Sequence, residues 1–283
     1  MAVAVQTFES TGYASASATL VITKPTGLVI GDLMVAIISI AGETTVPSMT
    51  PPTGWATEIA MGETGSNNVG RAAYYKIAVS GDVAGSNFTF TAASSTTIAG
   101  GILRINGHDP NNPIFFSDDV EPTGVTTLSA ATSVTPQMTN SLAVTAFFLE
   151  DARTLSSFTL TPTTSLTEAF QHDAASPDTT IGVAYGTYST TTEITSYGAT
   201  QSASSSAETG IILLLTPQTD ASADVSELTF ATGLNGFIGS NTANGDVSNL
   251  SIVPGLNSPT FKGQGTRWID KTKTSTTWTS KDK

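Results

Sequence analysis

Short apolar runs that recur at one fixed distance constrain this chain more than any other feature. "GDLMVAI" (31–37) aligns with "NSLAVTA" (140–146), so that Leu33 answers to Leu142 and Val35 to Val144, about 110 positions apart. "MTPPTGW" (49–55) falls opposite "FTLTPTTS" (158–165). "SSTTIAGGIL" (94–103) falls opposite "SSSAETGIIL" (204–213), with Gly100 matching Gly210, Ile102 matching Ile212 and Leu103 matching Leu213. A common offset over three segments argues for a duplicated unit, beyond the likeness that any two Ser/Thr-rich β sequences share.

The runs read as strands. "LMVAIISI", "AAYYKIAV", "NFTFTA", "GGILRI", "LAVTAFFL", "IGVAYGTY" and "GIILLL" are each bounded by Gly, Pro, Asn or Asp, and none keeps a helical period over ten residues. Phe88 and Phe90, two apart, share one sheet face. One half supplies about four such runs, too few to close a core alone, and the two together about eight, enough for one shared core. The expectation is an all-β, two-sheet β-sandwich with jelly-roll-like wrapping, over residues 1–217, built from similar halves at about 1–115 and 116–217. Residues 218–283 open on "QTDASADVSE", with little to bury, and pass through the weak strand candidates "LTFATG" and "NLSIVPG". They read as a linker and an extended C-terminal arm.

Charge divides the chain the same way. The formal net charge is -12. From Lys262 onward six basic side chains stand against two acidic ones, a local +4 that leaves -16 for the rest. An acidic body repels nucleic acid and anionic membranes, and a basic end is drawn to acidic protein surfaces, copies of itself included. The arm's six cations are scattered among threonines, a pattern that argues against nucleic-acid binding. Arg267, Trp268, Lys271, Lys273, Trp278 and Lys281 are the expected partner-binding residues, with the indoles docking in apolar pockets and the cations meeting acidic rims. The N-terminus "MAVAVQTFES" lacks the basic start and long apolar run of an export signal, and Gly31-Asp32 interrupts the longest apolar stretch, so neither export nor membrane insertion is expected. Cysteine is absent, which excludes disulfides and thiolate metal sites.

Gly31-Asp32-Leu33, Pro51-Pro52-Thr53-Gly54-Trp55, Tyr74-Tyr75-Lys76, Phe88-Thr89-Phe90 and Gly101 to Asp109 come in an order that resembles a β-sandwich module of tailed-phage virion proteins and some bacterial surface proteins. The likeness covers roughly 25–115, and 120–217 more loosely. The closing Trp-and-Lys repeats are similar to the C-terminal ends of phage structural proteins. The resemblance implies a virion protein assembled in the host cytoplasm, oligomeric, with other virion proteins (major capsid or tail proteins) and copies of itself as partners. Each signature residue also has a physical reading. Gly31-Asp32 makes a tight turn in which Asp bonds its own backbone, Gly54 allows an unusual backbone angle, and Trp55 plugs one end of the sandwich.

Chemistry is sparse. His108-Asp109 and His172-Asp173 are adjacent pairs whose side chains diverge in extended structure, and no Gly-x-Ser-x-Gly elbow accompanies them. Asp118-Asp119 and Glu150-Asp151 are neighbours, not carboxylates converging on one cleft. Asn244, Asp246 and Asn249 supply oxygens in a turn-rich stretch but fall short of a calcium ligand set. No cofactor and no catalysis are expected. Three readings follow: a capsid decoration (cement) protein; a tail-fibre or tail-tip adhesin that stacks a host-surface glycan on Trp55, Tyr74 or Tyr75; and, disfavoured by the missing acid/base pair, a polysaccharide-cleaving enzyme.

Overall fold

The computed structural model describes residues 2–218, except 42–45, 63–68, 123–125, 163, 176–177 and 206–207. The linker and arm, with Arg267, Trp268, Lys271, Lys273, Trp278, Lys281 and the Asn244/Asp246/Asn249 stretch, lie outside the described residues.

The first half runs β1 (Ala4–Thr23), β2 (Leu33–Ala41), β3 (Met49–Thr50), β4 (Ala56–Gly62), β5 (Val69–Ile77), the short helix α1 (Ser80–Ala84) and β6 (Asn87–Asn106). The second runs β7 (Ile114–Val120), β8 (Thr127–Val134), β9 (Ser141–Leu149), β10 (Leu155–Thr161), β11 (Thr164–Ser165), β12 (Thr167–Ala175), β13 (Asp178–Tyr188), β14 (Ile194–Gln201) and β15 (Glu208–Leu215). All pairings are antiparallel.

The duplication is written in the strand order. The first half has one sheet, β1-β6-β2-β5-β4, with β3 on the other end of β6. The second has β7-β15-β9-β13-β12 and, separately, β8-β14-β10-β11. Early β1 corresponds to β7 and late β1 to β8; late β6 corresponds to β15 and early β6 to β14. Both halves then read the same way. Register agrees too: Val35 lies opposite Leu103 and Tyr75, and Val144 opposite Leu213 and Tyr185. Even the entry turn is repeated. Gly31 and Asn140 both have positive φ, 93° and 62°. Asp32 then accepts from the Val29 N–H at 2.9 Å, and Ser141 donates to the Met138 carbonyl at 2.9 Å.

The all-β sandwich expectation holds, with more layers than two. β1 and β6, 20 residues each, pass through a series of register shifts between Thr11 and Thr19. Bulges of this kind bend a strand, so each strand serves two layers. Each half therefore closes a core of its own. In the first, Met34, Ala36, Ile38 and Ile40 pack against Leu20, Ile22, Phe88 and Phe90. In the second, Ala143, Phe147, Ile212 and Leu214 pack against Leu128, Leu155, Phe158 and Tyr197. A third core lies between the halves, where Leu33, Val35, Ile37 and Leu103 meet Val144, Ala146, Phe148 and Leu213. Neither half needs the other to close a core, because the Ser/Thr/Ala-rich strands β1, β8 and β14 supply the outer layers without an apolar run to announce them.

The two middle sheets meet with approximate two-fold symmetry. β2 lies over β13 as β5 lies over β9, and β1 lies over β12 as β4 lies over β7. This is the self-complementary pattern of a symmetric dimer, within one chain. A Cβ on Gly101 would sit 2.4 Å from the Phe170 ring across this interface and 3.0 Å from the Glu9 carbonyl. Gly101→Val is accordingly expected to cost about 1–3 kcal/mol, the usual penalty for overpacking; urea denaturation checks it, and an unchanged midpoint would mean that the middle sheets separate easily.

Candidate functional site

The aromatic residues expected to stack sugars lie largely inside. Trp55 sits edge-on to Phe88 and Phe90, with ring centroids 5.5 and 5.4 Å away, and is 8% exposed. Tyr74 is 1% exposed beside Phe90, and burial pushes its hydroxyl up to about 12. Tyr75 is half-buried against the core between the halves. Trp55 and Tyr74 thus offer no free face, and the plug role read for Trp55 is the one that its packing supports. The local turn chemistry is also in place. Gly54 has φ 84°, and Asp32, 5% exposed, accepts from Arg104 Nε at 2.6 Å as well as from its own turn.

The two sides of the interface between halves are filled differently. On the side where β1 lies over β12, the Phe8 and Phe170 rings meet at 6.4 Å, and the Phe170 and His172 rings lie 5.8 Å apart. Farther in, the Tyr13 hydroxyl donates to Ser39 Oγ at 2.8 Å and lies 3.3 Å from Thr179 Oγ1. Burial, eased by these contacts, pushes the Tyr13 hydroxyl up to about 12. On the side where β4 lies over β7, the symmetry mates are smaller. Phe8 lies opposite Leu103 where Ser117 lies opposite Leu213, and Phe170 lies opposite Val183 where Ile59 lies opposite Ala73.

With both rings replaced, this second seam holds a cleft of about 470 Å³, lined by Glu58, Ile59, Arg71, Ser117, Asp118 and Asp119 among others. Arg71, on β5, is 7% exposed and pairs with Asp119 of β7; its Nε has no partner among the described residues. Burial pulls the Arg71 guanidinium down from its ordinary range. Asp118 accepts from the Thr132 hydroxyl at 3.2 Å, and burial, with Asp118 nearby, holds the Tyr197 hydroxyl far above its usual value. β4 and β7 each end their sheet, so the outer backbone edge of each is left without a strand partner among the described residues. The sequence marked Asp118 and Asp119 as neighbours that do not converge on one cleft; the structure corrects this, since both line the cleft together with Glu58, brought in from β4. The contrast of Ser117 with Phe8 was hidden because β1 carries no apolar run long enough to align with β7.

A smaller depression of about 280 Å³ is lined by Asp32, Asn106, His108 and Gln218, among others. His108 is 5% exposed and neither ring nitrogen has a hydrogen-bond partner among the described residues. It stands where the chain closes on itself, with the Asp109 N–H donating to the Thr216 carbonyl and the Gln218 N–H to that of Gly107. Glu150-Asp151 follows directly on β9, with Asp151 3.5 Å from Arg153. No group of three or more His, Asp or Glu side chains that could hold a metal occurs among the described residues.

No family model, no curated protein and no solved structure matches this chain.

The histidines give the body a pH dependence. Burial holds both imidazoles below the usual histidine range, against the pull of Asp32 and Asp109 on His108 and of Asp173 on His172. The folded state therefore prefers them neutral. Stability is full above about pH 6.5, the ordinary histidine value. It falls below that, as the unfolded chain takes up protons that the folded one refuses, by at most about 1.4 kcal/mol per pH unit for each histidine. Urea denaturation at pH 7.5 and 5.5 should show a lower midpoint at 5.5, and His108→Gln with His172→Gln should flatten the difference.

Proposed function

We propose that this chain is a non-catalytic structural protein of a tailed-phage virion, an outer capsid decoration (cement) protein fastened to its neighbours by its basic C-terminal arm. The family comes from the resemblance of the Gly31-Asp32-Leu33, Pro51 to Trp55 and Gly101 to Asp109 motifs. The observation that carries the mode of attachment is where the body's cations go.

Residues 1–218 contain five Lys and Arg against seventeen Asp and Glu. All five cations are held internally: Arg71 by Asp119, Lys76 by Asp82, Arg104 by Asp32, Arg153 by Asp151, and Lys24 by the Val83 carbonyl. Such a body meets its surroundings through negative charge. The remaining six cations lie in 262–283. An anionic body with a cationic end is suited to joining like copies and anionic neighbours in a lattice, where weak contacts gain strength by repetition. The adhesin reading loses support because Trp55 and Tyr74 are packed inside.

Deleting residues 262–283 is expected to leave the urea and thermal transitions of the body in place and to abolish incorporation into particles. Mass spectrometry of purified virions reads the second effect. Normal incorporation of the shortened chain would refute the anchor, and absence of the intact chain from particles would refute the virion assignment.

A further inference from the structure

We propose that the cleft between β4 and β7 is the socket for the arm: it takes residues 262–283 of a second copy, laid in as an extended strand along an open edge. The inference rests on the anchoring role of the arm and adds the place where it docks.

Four observations point to this occupant. First, the cleft is a vacated position. Its symmetry mate is packed with the Phe8 and Phe170 rings, whereas here Ser117 and Ile59 stand in their places. The missing volume is that of aromatic rings, and "RWIDKTKTSTTW" brings two indoles. Second, the strands beside the cleft are the last of their sheets among the described residues, so an incoming strand finds backbone donors and acceptors on either of them. Third, the cleft's side chains include three carboxylates, Glu58, Asp118 and Asp119, and one cation, Arg71, which is already paired to Asp119. Arg71 is more than nine-tenths buried and its charge is taken up by Asp119, which leaves the cleft's carboxylates in excess.

Fourth, the compensating positive charge has one source in this chain. Every cation of residues 1–218 is committed within the body, and 262–283 holds the other six. In extended conformation Lys271 and Lys273 fall on one face and Trp278 on the other. That arrangement lets the ammonium groups meet the carboxylates while an indole enters the space that Ser117 leaves. Socket and arm are different surfaces, so the contact is head-to-tail and generates rings or open chains.

Complementation between two full-length variants tests the proposal. Glu58→Ala with Ser117→Phe blocks the socket and keeps the arm; Lys271→Glu with Lys273→Glu reverses the arm and keeps the socket. Sedimentation velocity at low salt should show the unaltered chain self-associating, with association weakened at least tenfold in each variant alone. Mixed together, the variants should form a one-to-one dimer and nothing larger, because one joint is possible and the next is not. Circular dichroism and melting confirm that each variant is folded, and Ser117→Leu alone, which fills less of the cleft and leaves its charge unchanged, serves if the added ring disturbs packing.

An unaltered chain that stays monomeric, or a mixture that does, overturns the intermolecular socket; occupation of the cleft by the same chain's arm would appear this way. Undiminished association of the blocked variant, beside a monomeric arm-reversed variant, overturns the socket and leaves the arm's anchoring role standing. Undiminished association of the arm-reversed variant overturns both.

Discussion

The molecule depends on two strands that are buried on both faces. β2 and β9 lie at the centres of the two middle sheets, each with one face turned to its own half's core and the other to the core between the halves. Every residue of β9, and of β2 from Leu33 to Ile40, is buried. A strand with no solvated face has no use for alternation, which is why both read as near-continuous apolar runs. Of the polar exceptions, Ser39 accepts from Tyr13 and Ser141 closes its own turn, whereas the Thr145 hydroxyl, wholly buried in the middle of β9, has no hydrogen-bond partner among the described residues. The other layers hang from this pair, so the register of β2 and β9 fixes where every neighbouring strand falls.

That dependence explains what was legible beforehand. The fixed offset was visible in β2 and β9, and in late β6 and β15, because residues buried on both sides tolerate little besides apolar side chains of similar size. It faded in β1, β8 and β14, whose outer faces are solvated and whose inner faces bury Ala, Ile or Tyr as well as Leu. Those outer strands were therefore not counted, and one shared core was expected where three exist. The turn at Gly31-Asp32 was legible because its chemistry is local. The seam cleft was not, since it is made by strands about 60 positions apart and defined by comparison with a second seam.

Aromatic residues show the same division between local and distant information. Trp55 in "PPTGW" could be read as a plug or a platform; Phe88 and Phe90, two strands away in the first half, decide for the plug. The acidic composition was plain from counting, but the commitment of each body cation to an internal partner depends on pairs as far apart as Asp32 and Arg104. Composition alone would have allowed a surface dotted with lysines.

The asymmetry of the two seams has a further meaning. In a homodimer each substitution appears twice, related by the axis, so a change that opens one side opens both. Once two halves share a chain, the copies of a position can drift apart. Phe8 can stay to clamp one side while its counterpart becomes Ser117. Two halves in one chain thus leave one side of a nearly symmetric interface free of the packing duty that the other side performs.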